Sequence, residues 1–260
     1  MRASRTSAVL AATMIALRVG ALAAAQPSPA ADVAAARWYR QCMQLTDTEP
    51  QKALDRAEAK AKAQGDAEDV AAGHCAAVAL VRLERFAAGA SRFEELAGKA
   101  DRVDLRAALL DQAADAWLLA GNAERALKVL TAAVEIAPKD ADLRIDKAQA
   151  EAELGRYGDA AGELDSAIAL DPGLVDAYVF RASARRRLNQ MEGAAADLEK
   201  ALTLDPRHPE ALLERGVLRQ LDGDRSGARA DWDLVVAVAP DSAAAQAARV
   251  NLSALAQGSR

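Results

Sequence analysis

Aromatic residues are scarce: Phe, Tyr and Trp together supply nine of the 260 residues. Strand-rich cores draw on such residues and on alternating β-branched ones, and no stretch of that alternation runs far here. Histidine is limited to His74 and His208, and cysteine to Cys42 and Cys75. A zinc site built from Cys42, His74 and Cys75 would lack a fourth ligand and a recognisable spacing. His208 sits in the turn Asp205-Pro206-Arg207-His208-Pro209, where a polar surface residue is expected. Positive charge is not in excess either. There are 33 Lys and Arg against 38 Asp and Glu, a formal net charge of −5 with both signs spread along the chain. That argues against a nucleic-acid face.

Motifs of catalysis are missing too. No nucleophile elbow, phosphate loop or H-E-x-x-H pattern occurs, so no catalytic residue, metal or cofactor is expected. Asp222, Asp224, Ser226, Gly227 and Asp233 mimic the spacing of a calcium loop. However, Arg229 stands where that loop carries an apolar residue, and 228–233 reads as helix. Outside the N-terminus no apolar run is long enough to span a bilayer.

What the chain does have is Ala and Leu, the strongest helix formers, and an ordered N-terminus. Arg2 and Arg5 precede an apolar stretch from Ser7 to Leu17, and Ala23-Ala24-Ala25 offers a small-residue cleavage site before Gln26. Arg18 interrupts the apolar run. The expectation is a signal peptide over 1–25, cleaved near Ala25, with a periplasmic or secreted product and no stable membrane insertion afterwards. A cytoplasmic chain with an amphipathic N-terminus is the alternative. Residues 26–32, with Pro27 and Pro29, read as a linker.

The main signal is a repeat. Pro138, Pro172, Pro206 and Pro240 are each 34 residues apart. Gly121, Gly155, Asn189 and Gly223 keep the same interval, as do Ala126, Ala160, Ala194 and Ala228. So do Leu130, Leu164, Leu198 and Trp232, and also Ala114, Ala148, Ala182 and Gly216. Each series has a physical reason. The Gly/Asn residues end a first helix in the left-handed conformation. The prolines follow a second helix, which they cannot continue. The Ala/Gly series lets two helices approach, and the Leu/Trp series fills the space between them. One such hairpin cannot bury its apolar face alone, so neighbours must stack.

These landmarks resemble the tetratricopeptide-repeat (TPR) family, a 34-residue helix–turn–helix array. The clean match covers 107–240, and Leu154-Gly155-Arg156-Tyr157 with Ala160 reproduces the family's turn and second-helix start. The family's early Trp is replaced by Leu110, Arg144, Tyr178 and Leu212. The resemblance is closest to Ala- and Arg-rich bacterial members of an exported type. It implies an all-α, right-handed superhelical solenoid of about six hairpins. Two degenerate ones span 33–106, four regular ones 107–240, and a capping helix with its tail fills 241–260.

Upstream, Arg85-Phe86, Gly89, Phe93 and Leu96 read as a second helix shifted by about three residues, which predicts a longer connection near 98–104. Trp38 to Leu45 and Ala53 to Ala63 read as another pair, divided at Pro50. Arg181, Arg215 and Arg249 also keep the interval, as do Glu163, Asp197 and Asp231, each acid 18 residues before an Arg. Pairing of acid and Arg across successive repeats is the expectation. Cys42 and Cys75 fall on the first helices of neighbouring N-terminal units, so a disulfide is expected if the chain is exported.

For function, the resemblance implies a non-catalytic scaffold or adaptor that holds a peptide or partner helix along its first helices. Carried-over groove positions are Asp142, Ile145 and Gln149, then Asp176, Val179, Ser183 and Arg186, then Leu213, Val217 and Gln220. The Lys and Asn set that captures a peptide carboxylate is missing. Three alternatives stay open: a cytosolic adaptor, a self-associating structural protein, and an enzyme with an unrecognised site.

Overall fold

The computed structural model describes residues 29–64 and 70–257, so the expected signal lies outside the described residues. Within them all regular structure is helical. The N-terminal unit, ending at Pro138, holds α1 (Pro29–Thr48), α2 (Pro50–Gln64), α3 (Val70–Arg82), α4 (Phe86–Lys99), α5 (Val103–Leu119) and α6 (Ala123–Ile136). The C-terminal unit, beginning at Lys139, holds α7 (Ala141–Glu153), α8 (Tyr157–Leu170), α9 (Val175–Arg187), α10 (Met191–Leu204), α11 (Pro209–Leu221), α12 (Arg225–Val238) and α13 (Ala243–Gln257). Among the described residues no helix is long and apolar enough to cross a membrane.

Consecutive helices pair as hairpins. Gly121, Gly155 and Gly223 take positive φ at the turns (72°, 73° and 88°), and Asn189 does so at 61°. The amide three residues past the end of each helix then closes on a carbonyl of its last turn, as Arg156 N donates to Glu151 O at 2.9 Å. Glu84 adopts the same conformation (φ 57°) between α3 and α4. It lies 37 residues before Gly121, which accounts for the three-residue shift read from the sequence. The shift does not lengthen the connection. Only residues 100–102 separate α4 from α5. The extra residues instead extend α5, which runs 17 residues against 13 for α7, α9 and α11. Asp104 sits in its first turn, favourable at a helix N-terminus, and Leu105, Ala107 and Ala108 are strong helix formers. The linker is also shorter than expected: α1 already starts at Pro29, a residue suited to a first helical position.

The N-terminal unit is organised around α3. Ala72 through Val81 are all buried, as an all-round apolar helix demands. Cys42 on α1 and Cys75 on α3 are joined by a disulfide with Cα atoms 6.2 Å apart. Ala53, Leu54 and Ala57 of α2 close over it.

In the C-terminal unit, the starts of α7, α11 and α12 are capped by side chains that accept from free amides. Asp140 accepts from the amides of Asp142 and Leu143, and Asp224 from that of Gly227. Asp224 is thereby a cap, and the calcium-like spacing around it is absorbed by the turn and α12. His208 caps α11 through Nδ1, and Pro209 follows it. It is not the surface residue expected: its side chain is 16% exposed and its Nε2 meets Asp176 Oδ1 at 3.2 Å. Helix α13 brings Ala244, Ala245, Ala248 and Leu255 onto the core formed by Trp232 and Val235. It ends the stack as a capping helix should.

Candidate functional site

The interior of each C-terminal hairpin pairs small against large. Gly216 on α11 faces Trp232 on α12, whose Nε1 donates to Leu213 O at 3.2 Å. A Cβ at Gly216 would fall 2.7 Å from the indole Cδ1. Where the first helix carries Ala148 or Ala182, the smaller Leu164 or Leu198 stands at the Trp232 position, and all four are buried.

Beside each pair lies an acid held by two cations. Asp197 accepts from Arg181 Nη2 at 2.6 Å and from Arg185 Nη1 at 2.8 Å. Asp231 accepts from Arg215 Nη2 at 2.7 Å and from Arg219 Nη1 at 2.8 Å. Glu163 accepts from Arg144 at 2.8 Å and Lys147 at 2.6 Å. Burial works against the Glu163 charge, but Lys147 and Arg144 outweigh it and hold the carboxyl below its usual range. These pairs lie within a hairpin, not across successive repeats as expected. The cross-repeat contact of Arg181 is to Asp165, at 2.6 Å, and Arg249 donates to Pro240 O instead of meeting Asp231. Next to this network Glu151 is buried, with Lys147 only at 3.9 Å and Oε2 without a hydrogen bond. Burial pushes its pKa up to about 7, against the pull of Lys147.

The expected groove residues divide. Ile145, Val179 and Leu213 are at most 5% exposed and belong to the hydrophobic core. Their spacing keeps the repeat register because the core repeats, so they leave no surface for a ligand. Asp142 and Gln220 are exposed, while Gln149, Asp176, Ser183, Arg186 and Val217 are half-buried. Arg186 is engaged, with Glu214 at 3.0 Å. The acids Asp142, Asp176 and Glu210 recur every 34 residues at the starts of α7, α9 and α11. A cavity of about 500 Å³ opens beside the first of them, lined by Asp140, Asp142, Leu170, Asp171 and Leu174, with Lys139.

In the N-terminal unit a buried polar chain crosses three first helices. Gln112 Oε1 can only accept, so His74 Nε2 carries the proton and donates to it at 2.8 Å. Nδ1 then accepts from the Tyr39 hydroxyl at 2.9 Å. Burial lowers the His74 pKa to about 4, against the Gln112 bond. Among the described residues no group of His, Cys, Asp and Glu is arranged to hold a metal ion. The chain of Tyr39, His74 and Gln112 was not legible in sequence, because its members are 35 and 38 residues apart and outside the regular repeats.

Comparison with known proteins agrees with the register. Tetratricopeptide-repeat family models match residues 118–186 and 175–208. Residues 118–208 are thus tetratricopeptide repeats. The fold of the chain is shared with TTC0263 of Thermus thermophilus (TM-score 0.60, 20% identity, 73% of this chain and 100% of that one). It is shared too with YrrB (TM-score 0.55, 22% identity, 68% and 90%) and with MamA (TM-score 0.52, 17% identity, 62% and 92%). No curated protein matches the chain. The TPR pattern carries Leu just before the small first-helix residue and Tyr three after it. This chain carries Lys147 and Glu151, Arg181 and Arg185, and Arg215 and Arg219 there. These three hairpins are thus closed by ion clusters where the family pattern uses apolar contact, while Ala113 and Trp117 keep the α5–α6 hairpin apolar there.

Proposed function

We propose that this TPR protein is a non-catalytic adaptor of the bacterial periplasm, holding a segment of a partner protein along α7, α9 and α11. The observation that carries the reading is the open first-helix face of the C-terminal unit. There Asp142, Gln149, Asp176, Ser183, Val217 and Gln220 keep exposed or half-buried side chains, and Asp142 lines a cavity. Polar groups around modest apolar surface suit an extended peptide or an amphipathic helix. YrrB, a neighbour in fold, is described as a TPR protein with an unusual peptide-binding site. For location, the order of charged, apolar and small residues before Gln26 supports export. The Cys42–Cys75 bridge also supports it, since such bonds persist in oxidising compartments.

A photo-crosslinking residue at Ser183, compared with one at exposed Glu199 on a second helix, tests the site in the protein's own cells. A partner trapped from position 183 and not from 199 is the expected result, and trapping from 199 alone refutes the face. Intact mass of the same sample tests location. The expected chain lacks residues 1–25 and is lighter by two hydrogens, while a full-length reduced chain refutes export.

A further inference from the structure

We infer that the N-terminal hairpin docks on an anionic lipid surface, with the start of α1 laid among the headgroups. The inference concerns α1 and α2 alone and does not depend on the adaptor reading. Lys60, near the end of α2, stands over Trp38 of α1 with Nζ 4.0 Å from the ring centroid. Cys42 is bonded to Cys75 of α3. Counting back equal rises, the end of α2 at Gln64 falls level with Ala34, and the start of α3 at Val70 level with Arg37. Helix α1 starts at Pro29, so its first turn projects past both neighbours. Val33, Ala34, Ala35, Ala36 and Arg37 are exposed in succession, Val33 by 56%. Such a run exceeds a full helical turn, so no face of α1 is covered there. All but Arg37 are apolar. A protein partner would cover one face of this helix, whereas a headgroup layer closes round it.

Positive charge follows at once. Arg37 and Arg40 are exposed and share one face of α1 with Val33. Among the described residues neither takes an ion pair or a hydrogen bond. No Asp or Glu occurs from Val33 to Thr46, and the next acid, Asp47, is held by Arg82 at 2.9 Å. Across the hairpin Arg56 donates to Gln41 Oε1 at 3.0 Å and lies 5.7 Å from the Trp38 ring. Glu58, between Arg56 and Lys60 in sequence, is turned to the other side of α2 by the helical period. This edge is therefore cationic in a chain whose net charge is −5. Trp38 is half-buried between the core and these cations, an amphipathic ring of the kind that suits a membrane–water boundary. Lys and Arg stems beside it can lie along apolar surface while their heads meet lipid phosphate. A second copy is a poorer occupant: the last helix, α13, carries no carboxylate for this edge to meet. The contact is peripheral, since no described helix can span a bilayer, and it weakens as salt rises.

The test is sedimentation of the protein, as recovered from its own cells, with phosphatidylglycerol vesicles and with phosphatidylcholine vesicles. Binding to the anionic vesicles that falls as salt rises, and far weaker binding to the neutral ones, is expected. The variant R37Q/R40Q should bind the anionic vesicles about tenfold more weakly. Its helix content should be unchanged, since neither side chain has a partner to lose. Brominated phosphatidylglycerol should quench Trp38 and spare the buried Trp117 and Trp232, so the quenching disappears in Trp38→Phe. Equal binding to both vesicles, no effect of R37Q/R40Q, or no quenching of Trp38 overturns the inference. Binding of polyglutamate without binding of vesicles overturns it too, and marks the edge as a site for an acidic protein. None of these outcomes bears on trapping from Ser183.

Discussion

Gly216→Ala separates two effects that oppose each other. In a helix interior Ala is favoured over Gly by about 1 kcal/mol. At this position the added Cβ would lie 2.7 Å from Cδ1 and 2.9 Å from Cε2 of Trp232, and closer still to Nε1. Trp232 is fully buried and its indole is tied to Leu213 O, so it cannot swing away. Overpacking of this kind typically costs about 1–3 kcal/mol. The net expectation is a loss of roughly 1 kcal/mol. In a Trp232→Leu background the obstruction is gone, and the double variant reproduces the Ala182–Leu198 pairing of the preceding hairpin. There Gly216→Ala should stabilise by about 1 kcal/mol, a coupling of about 2 kcal/mol between the sites. Urea unfolding of the four proteins, followed by far-UV circular dichroism, gives the shifts in midpoint. If Gly216→Ala stabilises equally in both backgrounds, the indole does not set the residue at 216 and the small-to-large pairing is not what shapes these hairpins.

Four further outcomes follow from buried groups. Cys42→Ala/Cys75→Ala should destabilise the N-terminal unit by about 3–4 kcal/mol in the chain-entropy view, while protection of amides in α9 to α12 stays unchanged in hydrogen exchange. His74 has a lowered pKa, so its neutral form stabilises the fold fully above about 6.5, and that stability is lost as pH falls toward about 4. Melting the wild type and His74→Leu at pH 7 and pH 5 should show the steeper loss in the wild type, by about 2 kcal/mol. Asp197→Ala leaves Arg181 and Arg185 with Asp165 alone and should cost about 1.5–3 kcal/mol. Breaking the exposed Arg92–Glu95 pair should cost under about 1 kcal/mol in the same denaturation assay. Glu151 has a raised pKa, so its charge opposes folding as pH rises from about 4.5 through about 7. Glu151→Gln should therefore raise the melting temperature at pH 8 and leave it nearly unchanged at pH 4.

Much of the fold was legible because periodicity reports it directly. The 34-residue series located every turn from Gly121 onward, and Pro50 and Arg85-Phe86 located two boundaries outside it. Glu84 escaped, since a non-glycine residue at positive φ carries no sequence mark. The length of α5 escaped too. An insertion between repeats is equally consistent with a longer loop or an added helical turn, and only packing decides. At the site, register found which positions repeat but not which way they face. Ile145, Val179 and Leu213 recur as regularly as Asp142 and Asp176, yet the first three are core. The apolar character of the three was the signal available, and it favoured burial over ligand contact.

The ion clusters show why periodicity alone could not assign the pairs. An acid 18 residues before one Arg is also 16 residues after the Arg one repeat earlier, because the two intervals sum to the repeat length. Arg181 and Asp197 stand eight residues either side of Asn189, and Arg215 and Asp231 eight either side of Gly223. Glu163 and Arg181 stand nine either side of Pro172, so symmetry about the other connection is no worse. What breaks the tie is the turn. A single left-handed residue folds the second helix straight back along the first, so positions equidistant from it face each other. The connection at Pro172 spans residues 171–174 and redirects the chain to the next hairpin. Arg181 still reaches Asp165 across it, which shows that a guanidinium can bridge both directions. Glu163 is unavailable because Arg144 and Lys147 already hold it. Each cluster therefore closes its own hairpin first, and the spare donors of Arg181 and Arg185 tie that hairpin to the one before. A charge-reversed variant that exchanges Arg181 and Asp197 should keep the hairpin pair and weaken the link to Asp165, leaving only the longer contact of Arg185. The weakening should appear as faster amide exchange at the α8–α9 connection, with α9 and α10 still protected. Equal loss of protection in α9 and α10 would mean that the cross-repeat contact, not the hairpin pair, sets the register.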